Sequence, residues 1–161
     1  MKGKIVSPAQ IARESQRLRD EKKCIVATNG CFDILHVGHV RYLSAARKLG
    51  DLLVVGLNGD QSVRELKGEG RPLNNELDRA EILAALESVD YVVIFPQKRA
   101  TEFLAAVQPA VYVKGGDYRS ETLDRDERNI LEKLGAKIEF IPFEQGYSTS
   151  GLIHKLKLSA S

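Results

Sequence analysis

The chain has 161 residues, of which 43% are hydrophobic and 29% charged, and it carries a formal net charge of +2. That is the size and composition of one globular domain spanning 1–161, able to bury its own core; disorder and a disulfide-stapled miniprotein, with only Cys24 and Cys31 present, are excluded. With 24 Lys+Arg against 22 Asp+Glu and no basic run, no nucleic-acid partner is expected; with no apolar stretch of about 18 residues and no apolar signal core at the N-terminus, neither is a membrane span or secretion, and a reduced cytoplasm is the expected compartment.

Short apolar runs alternate with amphipathic stretches. Ser7, Pro8 and Gln10 form a helix-start signature, and the spacing predicts a helix over Ser7–Arg19 with Ile11 and Leu18 on its buried face. Strands are predicted at CIVATN (Cys24–Asn29), LLVVGLN (Leu52–Asn58), YVVIF (Tyr91–Phe95), AVYVK (Ala110–Lys114) and KIEFI (Lys137–Ile141). Between them, helices are predicted over His39–Leu49, with Val40, Leu43, Ala46 and Leu49 on one stripe, from an Asn75 cap to Ser88, over Thr101–Val107 and over Leu123–Leu134; a last helix follows over Ser148–Leu156. The Gly-rich, charged stretch RELKGEGRPLNN (Arg64–Asn75) reads as a long functional loop. Strand–helix alternation with near-continuous apolar strands predicts an α/β fold, a Rossmann-like doubly wound five-stranded parallel sheet with a core over about 23–157. Ligands of such sheets sit beyond the carboxyl ends of the strands, so the loops after Asn29, Asn58, Lys114 and Ile141 are expected to meet.

The first of those loops carries TNGCFDILHVGH (Thr28–His39). Gly30 relaxes the strand end and Gly38 permits close approach at a helix start, where free N–H groups favour an anion. His36 and His39 are three apart, so in a helical turn their Cβ atoms are about 5–6 Å from one another on one face. Two imidazoles at an anion-binding helix start point to a phosphate between them; no third ligand sits at zinc spacing, so no metal site is assigned.

This motif resembles the signature GxFDxxHxGH of the cytidylyltransferase-like nucleotidyltransferases. LGDLLVVGLNGDQSVRELKGEGRP, DRAEILAALESVDYVV, VYVKGGDY and GYSTSGLI resemble, within that family, the adenylyltransferase domain that makes ADP-heptose from D-glycero-D-manno-heptose 1-phosphate. The resemblance covers about Lys23 to Lys155 and implies transfer of AMP from ATP to a sugar 1-phosphate, with release of pyrophosphate and Mg²⁺ carried in with ATP. It implies catalytic roles for His36, His39 and Lys67. It places the nucleotide on Thr28, Asn29, Gly30, Cys31, Phe32, Gly38, Lys114, Gly115, Gly116, Asp117, Gln145, Ser148 and Thr149, and the acceptor on Asp33, Arg71 and Arg79. Asp33 is expected either to bind sugar hydroxyls or to organise the loop, and Arg79 either to bind phosphate or to pair with Asp78 or Glu81.

The family domain is often fused to a sugar kinase, so a separate kinase upstream is the expected source of substrate, and family members are commonly dimers, so a homodimer is the assembly the resemblance allows. FEQG (Phe143–Gly146) has no arginine where glycerol-3-phosphate cytidylyltransferases carry one, and PQKRATEF (Pro96–Phe103) replaces a more acidic stretch. The alternatives are a cytidylyltransferase for glycerol 3-phosphate or another polyol or sugar phosphate, and a non-catalytic nucleotide-binding module.

Overall fold

A computed structural model describes residues 3–116, 123–142, 147–149 and 151–154. Helix α1 (Pro8–Asp20) opens with the expected capping box, Ser7 taking the N–H of Gln10 while the Gln10 side chain takes that of Ser7. It is followed by β1 (Ile25–Gly30), α2 (Val37–Arg47), β2 (Leu52–Asn58), α3 (Asp60–Lys67), α4 (Glu76–Ala84), β3 (Tyr91–Phe95), α5 (Thr101–Val107), β4 (Val111–Gly115), α6 (Arg125–Leu134) and β5 (Lys137–Ile141).

The five strands form one all-parallel sheet in the order β3-β2-β1-β4-β5. The order reverses at β1, so the crevice at a switch point opens above β1 and β4. Side chains alternate along each strand and both faces are covered. Ala27, Val54, Phe95 and Tyr112 pack with Ile11 of α1, Phe103 of α5 and Leu131 of α6. Val26, Leu53, Val55 and Val113 pack on the other face with Leu43 of α2 and Leu83 of α4.

Three expectations change. The front of the predicted long loop is helical, α3, and it went unrecognised because its N-cap is Gly59, with no side chain to cap, and only Ser62 and Val63 are buried. Its first free N–H, that of Asp60, is taken at 2.8 Å by Glu76, which is 16 residues away. Helix α2 starts two residues before His39 and buries Tyr42, Leu43 and Ala46, leaving Val40 and Leu49 about two-fifths exposed. Helix α4, capped by Asn75 as expected, ends at Ala84, and its Ile82 faces outward while Leu83 is buried.

Candidate active site

A cavity of about 490 Å³ lies at the carboxyl ends of the strands. Asn29 and Gly30 from β1, Asn58 from β2, and Lys114 and Gly115 from β4 form its floor. One wall is the β1–α2 segment with Cys31, Phe32, Asp33, His36 and His39; Lys67 and Arg71 stand beside it, and Ser148 and Thr149 close another side. The loops after four different strands thus meet as the topology requires.

His36 is not inside α2 but is its N-cap, in extended backbone, and His39 occupies the third helical position. The rings still stack, with centroids 3.8 Å apart and planes 29° from parallel. The backbone N–H of His36 donates to Nδ1 of His39 at 3.4 Å, which assigns the proton of the neutral His39 ring to Nε2. Burial, and then the neighbouring His36, push His39 down to about 4; burial also lowers His36. Both rings are therefore neutral at pH 7. Gly38 makes room: a Cβ there would lie 3.0 Å from Nδ1 of His36 and 3.1 Å from Cβ of Tyr147. Nδ1 of His36 is shielded from solvent and pairs with nothing among the described residues. Phe32 supports the pair from beneath, its ring edge-on to His39 at 5.4 Å, and reaches that position through a left-handed φ of 43°.

Asp33 is buried and organises the loop. Its carboxylate accepts from Arg71 Nε and from the backbone N–H groups of Leu73 (2.7 Å) and Asn74 (3.2 Å). The segment after α3 is thereby strapped to the histidine wall, with Lys67 exposed on the cavity. Lys114 is mostly buried and donates to Asn29 Oδ1 at 3.1 Å. Burial lowers its pKa, and the carboxylate of Glu127 opposes that shift. Burial raises the Cys31 thiol, so it stays protonated and packs as a small apolar group.

Some residues expected at the ligand sit elsewhere. Arg79 is 1% exposed, and its guanidinium is spent inside the protein: on the carbonyls of Asn74 (3.0 Å), Cys31 (2.6 Å) and Asn58 (2.9 Å), and on the Asp60 carboxylate (2.7 Å). It ties the ends of β1 and β2 together instead of meeting the acceptor, and its ionic partner is neither Asp78 nor Glu81. Thr28 is fully buried, its hydroxyl 2.7 Å from that of Tyr42, and Gly38 and Gly116 do not line the cavity. Thr149 lines it but donates its hydroxyl to the Ile34 carbonyl at 3.1 Å, and Ser148 accepts from the Gly151 N–H as a helix cap. Asp117 and Gln145 lie outside the described residues.

The cavity also holds residues that sequence reasoning passed over: Lys98 and Arg99 after β3, and Asp124 and Glu127 at the start of α6. The basic pair was visible in the unusual PQKRATEF stretch. The acidic pair carried only a helix-start signal, because its partners come from other elements. Among the described residues no three His, Cys, Asp or Glu side chains are grouped to hold a metal, and no helix is long and apolar enough to cross a membrane.

Residues 27–155 match the family described as Cytidylyltransferase-like. The chain belongs to the cytidylyltransferase-like family. The matched stretch includes the segment Gly30–His39, which forms the wall bearing both imidazoles. Among curated relatives, the bifunctional protein HldE of Pelobacter propionicus is 50% identical over 143 residues, 89% of this chain and 28% of that protein. The bifunctional protein HldE of Geotalea uraniireducens is 53% identical over 135 residues, 84% of this chain and 27% of that protein. The chain thus spans little more than a quarter of the length of these relatives. It is also similar to a solved structure, that of the lipopolysaccharide core biosynthesis protein from Thermoplasma volcanium GSS1. That likeness has a TM-score of 0.63 at 28% identity and covers 78% of this chain and 99% of that one.

Proposed function

We propose that the chain is an adenylyltransferase that moves AMP from ATP to D-glycero-D-manno-heptose 1-phosphate, giving ADP-heptose and pyrophosphate. The observation that carries the transfer chemistry is the stacked pair of imidazoles at the start of α2, facing a cavity rich in cationic side chains. In the reaction, an oxygen of the acceptor phosphate attacks the α-phosphorus of ATP. The new O–P bond forms as the bond to the bridging oxygen of pyrophosphate breaks, and the electron pair leaves with pyrophosphate. The nucleophile is already ionised at neutral pH, so no general base is needed; the work is positioning and electrostatic stabilisation.

His36 and His39 donate to the phosphate oxygens on which charge builds. Lys67 closes over the triphosphate, and Lys114 takes a phosphate oxygen from the floor. Gly115 leaves the backbone open to the ribose and base. Mg²⁺ enters with ATP, held mainly by phosphate oxygens and water, since Asp33 and Glu127 are already engaged with protein donors. The acceptor assignment is supported by the LKGEGRP and VKGGDY strings, which resemble those of ADP-heptose-forming domains, and by the likeness to the lipopolysaccharide core biosynthesis protein of Thermoplasma volcanium.

Pyrophosphate release with Mg²⁺ tests this reading, with ATP and CTP each offered D-glycero-D-manno-heptose 1-phosphate, other sugar 1-phosphates and glycerol 3-phosphate. Release with ATP and the heptose phosphate is the expected result. Release only with CTP and a polyol phosphate overturns the substrate assignment, and binding of nucleotide without any release overturns the transfer itself.

A further inference from the structure

Glu127 is a buried carboxylate, 5% exposed, on the first turn of α6. Burying a charge is costly unless partners repay it. Two partners are present, on two other elements. One carboxylate oxygen accepts the buried backbone N–H of Ala100 at 2.9 Å. Ala100 is the N-cap of α5 and has no capping side chain of its own. The other oxygen is 3.7 Å from Nζ of Lys114, at the end of β4. Asp124, the cap of α6, adds an ion pair to Arg99 at 2.9 Å, just before Ala100. The start of α6 therefore fastens two sides of the cavity, the β3–α5 loop and the β4 floor.

The bond to Ala100 needs only an oxygen acceptor, which a neutral amide would supply equally well. What the negative charge adds is Lys114. That lysine is buried, which disfavours its ammonium, and Glu127 is the largest influence restoring it. The other titratable or charged groups facing Lys114 among the described residues are Asp124 from the α6 cap, Cys31 from the β1–α2 segment and the Tyr112 ring 5.4 Å away on its own strand. Arg99 from the β3–α5 loop offsets Asp124. Asn29 on β1 contributes a neutral acceptor.

We propose that Glu127 is a positioning residue: through its carboxylate it holds the Lys114 side chain as a cation aimed at the cavity floor, ready for a phosphate oxygen of the nucleotide. The proposal rests on the nucleotidyltransferase reading for the identity of the ligand, while the coupling of Glu127 to Lys114 rests on their contact and on the burial of both groups.

The test pairs a ¹³C-lysine NMR titration of the full chain with calorimetric binding of Mg·ATP, from about pH 7 to about pH 11. In Glu127→Gln, the midpoint of the Lys114 Cε signal should fall about 1–3 pH units below that of the unaltered chain. Between the two midpoints, Mg·ATP affinity should drop about tenfold or more, the loss of one charge-assisted phosphate contact. Adding Lys114→Arg, whose guanidinium stays charged, should remove that pH dependence. Glu127→Gln should melt close to the unaltered chain, whereas Glu127→Ala, which strands the Ala100 N–H, should melt lower. An unmoved Lys114 midpoint in Glu127→Gln overturns the proposal, and so does a moved midpoint with unchanged Mg·ATP affinity. If Glu127→Gln does not fold, Lys114→Met decides: Mg·ATP binding that survives it undiminished overturns the proposal. Failure of the proposed function looks different. The titration and the binding would shift as expected while the unaltered chain released no pyrophosphate with any acceptor.

Discussion

Replacing Asp33 by asparagine separates two roles that the sequence leaves open, contact with acceptor hydroxyls and organisation of the loop. In the structure the Asp33 carboxylate accepts from Arg71 and from the N–H groups of Leu73 and Asn74, and it is 4% exposed. The amide in Asp33→Asn would keep one oxygen acceptor, lose the charge opposite Arg71, and turn an NH₂ group toward one of the donors. A hydrogen bond to a charged group contributes about 1.5–3 kcal/mol, and a buried N–H left unpaired costs about 1–3 kcal/mol. Arg71 retains partial access to water, with its side chain 19% exposed, so the lower part of that range applies and the total is about 2–3 kcal/mol. For a chain of this length that corresponds to a fall in Tm of roughly 4–12 °C. The freed segment should also be cut by trypsin after Lys67, a site followed by Gly68, while Arg71 is protected by Pro72. The assay is a melting curve beside timed trypsin digestion, with KM for the acceptor measured on the same protein. An unchanged Tm and digestion pattern with a raised acceptor KM would refute the loop-organising role and restore the hydroxyl-binding one.

Other outcomes follow from the site's geometry. His36→Ala should lower kcat for pyrophosphate release by about 10²–10³ while leaving Mg·ATP affinity within a few-fold, because a donor that acts on charge in flight is lost; unaltered turnover would remove His36 from the chemistry. Gly38→Ala should lower turnover about tenfold by displacing the His36 ring, whose Nδ1 would lie 3.0 Å from the new Cβ, yet leave Tm equal or higher, since alanine favours a helix by about 1 kcal/mol over glycine. The imidazole of His39, held at about 4 when folded, against about 6.5 in an unfolded chain, makes stability pH-dependent. The unfolded chain binds the extra proton, so stability present above about pH 6.5 is lost as pH falls to about 4, by about 1–2 kcal/mol once solvent at the half-buried ring is allowed for. Urea midpoints across that window should show the loss in the unaltered chain and a smaller one in His39→Asn; equal slopes would contradict the burial of that ring.

How much was legible in the sequence differs by element. The five strands were read within a residue or so of their observed ends, because buried parallel strands are short apolar runs whose identity is local. The Ser7 and Asn75 caps were legible for the same reason, since a cap acts within three residues. The segment Gly30–His39 pointed to the family by resemblance and to the pairing of the two histidines by their spacing, and the rings do stack. Helix α3 was not legible: its N-terminus is completed by Glu76, so the signal lies outside the segment. The same holds for Arg79, whose burial against Asp60, Cys31 and Asn58 joins groups 19, 48 and 21 residues away. Residue type and spacing therefore determined which elements form and which loop carries the paired histidines. Only the tertiary structure decided which charged side chains face the cavity and which are spent holding it, because a charge buried in a protein is stabilised by whatever opposite charge the fold brings to it, however distant in the chain.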